Sequence, residues 1–416
     1  MYTKINKCRI CGNKDLASIL NLGNQYLTGV FPKTRLHSLT SGPLELVKCL
    51  EKNNSQNCGL VQLGHSYRHT EMYGDNYGYR SGLNQSMVEH LNKKAKTIES
   101  LAKLHKGDLV IDIGSNDGTL LKSYITDGLL LAGVDPSGAK FKEYYPGNIT
   151  LVADYFSAEC VKANFNGRKA KAVTSIAMFY DLESPLDFAL QVKEVLDDEG
   201  IWLFEQSYLP AMLEMNSYDT VCHEHLEYYG LKQIKWITDN AGFKIIGIEF
   251  NNVNGGSFSV AVAKEKSHYR QNAQVVQSAL ENEMSIGLHT LVPFERFRAR
   301  VAEHREKLLS SIREFKIAKK KIFGYGASTK GNVILQYCGI TEDDIPYIAE
   351  VNPDKFGCFT PGSGIPIISE EETRQMRPDC FMVLPWHFRD NIIKREKSYL
   401  AGGGRLLFPL PILELV

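Results

Sequence analysis

The feature that most constrains the fold is an apolar run that ends in a glycine-rich turn, at residues 109–121, LVIDIGSNDGTLL. A short run rich in Val and Ile and bounded by Gly is typical of a buried parallel strand. Gly114 and Gly118 allow the next stretch of backbone to bend sharply and to approach a ligand closely. The pattern predicts a strand, a tight turn and a helix, with a cofactor lying over the turn.

The turn lacks the middle glycine of the nicotinamide fingerprint, which reads G-x-G-x-x-G with an acid about 20 residues later. Asp135 closes the next apolar run and stands where an acid would bind ribose hydroxyls. This arrangement resembles motifs I and II of the class I S-adenosylmethionine-dependent methyltransferases. It consists of Asp112 at the strand end, the turn around Asn116, and Asp135. An ordinary corner between a strand and a helix is the alternative interpretation.

Strand-like runs alternate with helical stretches from about residue 106 to 264, which fits a doubly wound α/β sheet with ligands at the carboxyl ends of its strands. The runs are at 109–113, 130–134, 149–152, 171–176, 200–205, 243–249 and 257–263. A short loop joins the final two, so the last strand should be antiparallel, as in methyltransferases. Asp154 and Tyr155 follow the third run, where adenine would stack. Residues 175–181, with Met178 among them, follow the fourth and would line the methionine side of the cofactor.

The length and the charge balance restrict the class of protein. A chain of 416 residues exceeds one ordinary core, and its 48 basic residues equal its 48 acidic ones. Without a basic stripe, a nucleic-acid partner is not expected, and a small-molecule substrate is favoured. There is no run of 18 apolar residues and no N-terminal signal, so we expect no membrane partner and a cytoplasmic protein, monomeric or weakly dimeric.

The N-terminal cysteines predict a metal site. Cys8 and Cys11 form a C-x-x-C, and Cys49 and Cys58 are the nearby candidates for two further ligands. Four thiolates suit a closed structural zinc site, although eight residues separate the second pair. Four unligated core cysteines are the alternative. A metal would also compensate for the small apolar content of residues 1–68.

A polar aromatic segment at residues 72–81 precedes a helix-like stretch and contains Tyr77 and Tyr79. Tyrosines alternating with glycine suit a loop that covers a site. Equally, the segment could attach the zinc module to the next domain.

Residues 218–229, YDTVCHEHLEYY, concentrate histidines, acids and tyrosines. Such a set is costly to bury for packing alone, because each polar group needs a partner. A histidine can remove a proton when a carboxylate fixes its tautomer. His223, Glu224 and His225 could instead bind a metal, or form a satisfied structural cluster. On a strand the two histidines would share one face.

A second glycine-rich turn, KIFGYGASTKG, lies at residues 321–331. The N-terminus of the following helix favours phosphate, and Ser328, Thr329 and Lys330 add donors. Apolar runs at 346–351, 380–385 and 404–410 indicate a second, smaller Rossmann-like sheet. An NAD site is the competing interpretation.

With these segments together, the chain resembles the nucleotide-sugar C-methyltransferases of deoxysugar biosynthesis. The resemblance rests on the N-terminal cysteines, the HEHL-x-YY and NGGS segments, and the C-terminal glycine turn. It implies a zinc module (1–68), a class I methyltransferase domain (69–265) and a Rossmann-like domain for the sugar nucleotide (266–416). Cys222 stands where these enzymes carry tyrosine.

The resemblance implies that methyl transfer from S-adenosylmethionine goes to carbon 3 of a 4-keto-6-deoxy sugar on a nucleoside diphosphate. His225 is the expected base and Glu224 its orienting partner. His223, Tyr77 or Tyr79 would donate to the ketone oxygen, and Asn254 joins the substrate-binding candidates. The sequence leaves two other classes open, an RNA or protein methyltransferase with a zinc recognition module and an NAD-dependent oxidoreductase or epimerase.

Overall fold

Short antiparallel strands surround the four N-terminal cysteines in the computed structural model, which describes residues 2–34, 39–51, 56–68, 72 and 80–416. Tyr77 and Tyr79 lie outside these residues. Strands β1 and β5 pair with each other, while β2, β3 and β4 form a sheet. The strands are β1 (Tyr2–Lys4), β2 (Leu16–Tyr26), β3 (Ser41–Cys49), β4 (Val61–Leu63) and β5 (His65–Tyr67).

The central region is the predicted doubly wound sheet. Its first strand is fully buried and ends at the first glycine turn, as the apolar run predicts. The helices are α1 (Gln85–Ala102), α2 (Ala158–Asn164), α3 (Pro185–Val195), α4 (Leu209–Glu214) and α5 (Leu231–Ala241). The strands are β6 (Leu109–Ile113), β7 (Leu130–Val134), β8 (Ile149–Val152), β9 (Ala170–Ile176), β10 (Leu196–Ser207), β11 (Glu227–Tyr228), β12 (Phe243–Asn251) and β13 (Ser257–Lys264).

The order of the central sheet is β12-β13-β10-β9-β6-β7-β8, and β13 is antiparallel to both of its neighbours. The expected antiparallel last strand is therefore confirmed. Strand β11 is not part of this sheet. It pairs with β4 and completes the N-terminal sheet, in the order β11-β4-β3-β2.

The C-terminal region forms a second, smaller sheet in the order β16-β15-β14-β17-β18-β19, parallel except for β19. Its strands are β14 (Ile322–Tyr325), β15 (Ile348–Glu350), β16 (Ile367–Ser369), β17 (Cys380–Val383), β18 (Arg405–Phe408) and β19 (Glu414–Leu415). The helices are α6 (Ala273–Ile286), α7 (Val292–Ile317), α8 (Thr329–Cys338), α9 (Glu370–Gln375), α10 (Arg389–Arg395) and α11 (Lys397–Ala401). No described helix is both long and apolar enough to cross a bilayer.

The N-terminal sheet packs between the two larger sheets. Its apolar residues share one core with the C-terminal sheet and with residues 209–228. Residues around the cysteines pack instead into the core of the central sheet. The domain boundaries drawn from sequence remain a prediction, because packing joins all three regions.

Candidate functional site

The first glycine turn has the left-handed backbone that its sequence predicts. Gly114 and Gly118 have φ values of 74° and 71°, and Asn116 between them has φ 51°. A Cβ atom on Gly114 would lie 3.0 Å from the side chain of Met178. Glycine therefore keeps the backbone close to whatever lies over the turn.

Two strand-end carboxylates flank this turn. Asp112 accepts a hydrogen bond from the Thr174 hydroxyl at 2.6 Å. Burial, and the charge of Asp135, raise the pKa of Asp112 to about 7. Asp135 accepts hydrogen bonds from the backbone N–H groups of Asn116 and Ser137, both at 2.7 Å. The carboxylate that should bind the ribose is thus fixed against the turn.

A cavity runs along the carboxyl ends of the central strands and contains most of the predicted cofactor residues. Asp112, Gly114, Asn116, Asp135, Tyr155 and Met178 line it. Gly118 supports the turn against Tyr145, because a Cβ there would lie 3.1 Å from that ring. Asp154 does not line the cavity. It is exposed and accepts a hydrogen bond from the Tyr155 N–H at 2.7 Å, so its predicted cofactor contact is not supported.

His225 has a defined tautomer beside this cavity. Its Nδ1 lies 2.9 Å from the carbonyl oxygen of Thr220. Because a carbonyl only accepts, Nδ1 carries the proton and Nε2 keeps its lone pair. The ring packs against Tyr180, which lines the cavity, with centroids 4.3 Å apart. Burial and then the charge of Lys330 lower the pKa of His225 to about 4, so the imidazole is neutral.

The HEH segment is residues 223–225, and the contacts of its other two residues differ from those expected. Glu224 makes no hydrogen bond to His225 in the described structure, and the Thr220 carbonyl takes the orienting role. Glu224 instead lies against Gly29 of the N-terminal region, where a Cβ would collide with Oε1. His223 packs on Tyr67, with ring centroids 4.6 Å apart, and burial lowers its pKa to about 3. The neighbours of these two residues therefore support neither the predicted orienting role of Glu224 nor the predicted hydrogen bond from His223 to the ketone.

The C-terminal glycine turn meets the cavity through Lys330. Lys330 Nζ donates to the backbone carbonyl of Asn254 at 2.9 Å, and Asn254 lines the cavity. Ser328 caps α8 by accepting from the Gly331 N–H at 3.0 Å. Thr329 has its hydroxyl near Gly29. These three predicted phosphate ligands thus begin one helix, but only Lys330 reaches the cavity wall.

The four N-terminal cysteines meet the geometric requirement for zinc. Their sulfur atoms lie within 4.8 Å of one another. The Sγ pairs Cys8–Cys58 and Cys11–Cys49 are 3.5 and 3.6 Å apart. A tetrahedral ion with bonds of about 2.3 Å requires sulfur separations of roughly 3.8 Å. The wide second spacing therefore does not prevent a closed four-thiolate zinc site.

Sequence reasoning missed one cavity residue that the proposals below use, Gln206 at the carboxyl end of β10. Tyr180, which follows β9, falls within the segment 175–181 that was expected beside the cofactor. The rule that ligands bind beyond the carboxyl ends of parallel strands would have indicated the position of Gln206 as well. Gln206 belongs to no recognisable motif, so the sequence contains no further signal.

The strand order, the antiparallel β13 and the cavity over the glycine turn define a class I S-adenosylmethionine-dependent methyltransferase. Residues 87–248 match a family model described as a methyltransferase domain, and residues 8–73 match a zinc binding domain. Residues 252–411 match the C-methyltransferase C-terminal domain. The chain is therefore an S-adenosylmethionine-dependent C-methyltransferase with an N-terminal zinc binding domain.

Three known proteins are similar to all or part of the chain. The chain is 27% identical to the C-methyltransferase NovU of Streptomyces niveus over 422 residues, which cover 98% of this chain and 96% of NovU. The glycopeptide N-methyltransferase MtfA complexed with S-adenosylmethionine is 12% identical, with a TM-score of 0.32, covering 42% of this chain and 93% of MtfA. A methyltransferase complex with the Trm112 activator from Haloferax volcanii is 13% identical, with a TM-score of 0.35, covering 43% of this chain and 95% of that one.

Proposed function

We propose that this C-methyltransferase transfers the methyl group to carbon 3 of a 4-keto-6-deoxy sugar carried on a nucleoside diphosphate. The observation that carries the proposal is His225, a neutral imidazole whose Nδ1–H donates to the Thr220 carbonyl. The free Nε2 suits removal of a proton from a carbon next to a ketone. A methyltransferase acting on an amine has less need of such a base, because a neutral amine already presents a lone pair.

In the proposed reaction His225 Nε2 removes the carbon 3 proton, and the C–H electron pair moves toward the ketone oxygen to give an enolate. S-adenosylmethionine supplies an electrophilic methyl group. As carbon 3 forms the bond to that methyl, the sulfur–methyl bond breaks, its electron pair stays on the sulfur of the departing S-adenosylhomocysteine, and the enolate returns to the ketone. The protonated His225 later releases its proton to solvent. Hydrogen-bond donors at the enolate oxygen would lower the barrier, because charge develops there.

The sugar nucleotide is proposed to lie where the C-terminal turn meets the cavity. Lys330 brings a cation to this junction, and Asn254 places the adjoining loop beside the cofactor residues. Asp219, which precedes the HEH segment, accepts a hydrogen bond from Trp386 Nε1 at 2.7 Å across the same junction. A substrate with a diphosphate and a reactive ring can contact both regions at once. Tyr77 and Tyr79 remain predicted donors to the ketone.

Residues of the N-terminal region cover the crevice of the second sheet, which disfavours an NAD-dependent activity. Asn332 of α8 donates to the Thr28 carbonyl at 2.7 Å, and the Phe359 N–H donates to the Pro32 carbonyl at 2.8 Å. A dinucleotide at a Rossmann-like turn needs this space beyond the strand ends.

The test is an incubation of the protein with labelled S-adenosylmethionine and a panel of 4-keto-6-deoxyhexoses on dTDP and GDP. Mass spectrometry and NMR of the products should reveal a new carbon–carbon bond at carbon 3. Parallel incubations with RNA and with protein substrates should give no labelled product. Label on RNA or protein, or methylation at carbon 5, would contradict the proposal.

A further inference from the structure

Gln206 is a buried amide that lacks a hydrogen-bond partner in the described part of the chain. Its side chain is 1% exposed in relative terms, and neither Nε2 nor Oε1 is paired. An unpaired buried amide destabilises the fold, because its hydration is lost without replacement. In native structures such groups are normally completed by water or by a ligand.

The position of Gln206 associates it with the reacting groups. It is the penultimate residue of β10 and lines the same cavity as Tyr180 and Asn254. Tyr180 contacts the ring of His225, and Asn254 accepts the hydrogen bond from Lys330. The unpaired amide therefore lines the cavity together with the residues that contact the candidate base and the C-terminal lysine.

The hydrogen-bonding groups of a primary amide restrict which ligand can pair with it. Nε2 donates two hydrogen bonds and Oε1 accepts, so a ligand that completes both must present an acceptor and a donor close together. A ketone with a hydroxyl on the next carbon meets this requirement. The amino acid group of the cofactor also meets it, so the affinity for S-adenosylmethionine has to be measured beside the activity.

We propose that Gln206 binds the acceptor sugar directly, with Nε2 donating to its ketone oxygen and Oε1 accepting from the neighbouring hydroxyl. This inference rests on the proposed function. When His225 removes the proton, the ketone oxygen gains negative charge and the hydrogen bond from Nε2 strengthens. Gln206 then stabilises the transition state more than the bound substrate.

The Gln206→Leu variant separates this role from a structural one. We expect kcat/KM for the 4-keto sugar nucleotide to fall about tenfold or more, on the scale of a lost hydrogen bond. The Kd for S-adenosylmethionine, measured by calorimetry, should change less than about twofold, since a tenfold change would need a lost contact. The Tm should stay the same or rise, because an unpaired amide is replaced by an apolar side chain. A structural glutamine would instead lower the Tm.

A matched control is Gln62→Leu, also fully buried but in the N-terminal sheet, where Oε1 accepts from the Arg9 N–H at 3.1 Å. That change should lower the Tm and leave kcat/KM close to the parent value. A second variant, Gln206→Glu, keeps the shape but replaces the donor with an acceptor. It should lose as much activity as Gln206→Leu, which keeps the inference testable if the leucine variant folds poorly.

The possible failures are distinguishable. If the parent protein methylates the keto sugar and both Gln206 variants do so at the parent rate, the inference is wrong and the proposed function stands. Loss of S-adenosylmethionine binding in the variants would make Gln206 a cofactor residue and would also overturn the inference. A parent protein inactive on every keto sugar of the panel would remove the proposed function, and this inference with it.

Discussion

Asp135 and Glu350 make the same hydrogen bond in two different sheets. Asp135 accepts the backbone N–H of Asn116 at 2.7 Å, and Glu350 accepts that of Ala327 at 2.8 Å. Each acid ends the strand beside a glycine-rich turn and fixes that turn. Among the described residues, the Asp135 turn lines the cavity itself, whereas the second turn reaches the cavity wall through Lys330 alone. Lys355 bridges that second turn to the ring of Phe31.

The first prediction concerns Asp135. Asp135→Ala removes the carboxylate expected to bind the ribose hydroxyls, so S-adenosylmethionine affinity should fall by about 1.5–3 kcal/mol, the range for hydrogen bonds to a charged group. Asp154→Ala is the matched control, because Asp154 is exposed and outside the cavity. Calorimetry should show a loss only for the first variant. Equal affinities for both would exclude Asp135 from the site.

The second prediction concerns the metal. Elemental analysis of protein purified without chelator should give one zinc per chain, and Cys8→Ser should lose it and lower the stability of the N-terminal region. Cys160→Ser removes a half-buried thiol outside the cluster and should retain the metal. Metal-free parent protein would make the four thiols ordinary core residues.

The third prediction separates the two histidines. His225→Asn keeps a polar side chain without the basic nitrogen, so methylation should fall roughly 100-fold or more. Exchange of the carbon 3 hydrogen in deuterated buffer can be measured by NMR in the absence of methyl transfer. Its rate should fall in parallel. His223→Asn should affect both much less, since His223 packs on Tyr67 of β5. A folded His225→Asn variant that binds both ligands and turns over normally would exclude His225 as the base.

The fourth prediction is a pH profile. The pKa of His225 is lowered to about 4, by burial first and then by Lys330. The base must be deprotonated to act, so the acid limb that His225 sets in kcat/KM should lie near that value. Lys330→Met removes the positive charge, which raises the pKa of His225 toward its ordinary value and moves the acid limb to higher pH. The Michaelis constant for the sugar nucleotide should also rise, because the proposed phosphate contact is lost.

Lys355→Met is the control for the pH profile. Lys355 is a largely buried lysine of the same region, but it contacts the Ala327 carbonyl and the Phe31 ring. Its removal should leave the acid limb where it is in the parent protein. An unchanged limb in Lys330→Met as well would show that this charge does not act on the base.

The sequence predicted the central sheet closely because strands β6, β9 and β13 are largely buried apolar runs. Runs at 130–134 and 149–152 coincide with β7 and β8. The HEH segment was predicted less well, since alternation along a strand was used to put both histidines on one face. In the structure residues 221–226 form a turn and β11 begins only at Glu227, so His223 and His225 contact different elements.

Strand β11 has a consequence for protein engineering. It belongs to the chain segment that carries His225, yet it hydrogen-bonds to β4 beside the cysteine cluster. Exchanging the zinc modules of two relatives at a boundary near residue 68 would therefore pair β11 with a foreign strand. Such chimeras should recover activity only when the HEHLEYY segment is exchanged together with the module, since the two have to match across that edge.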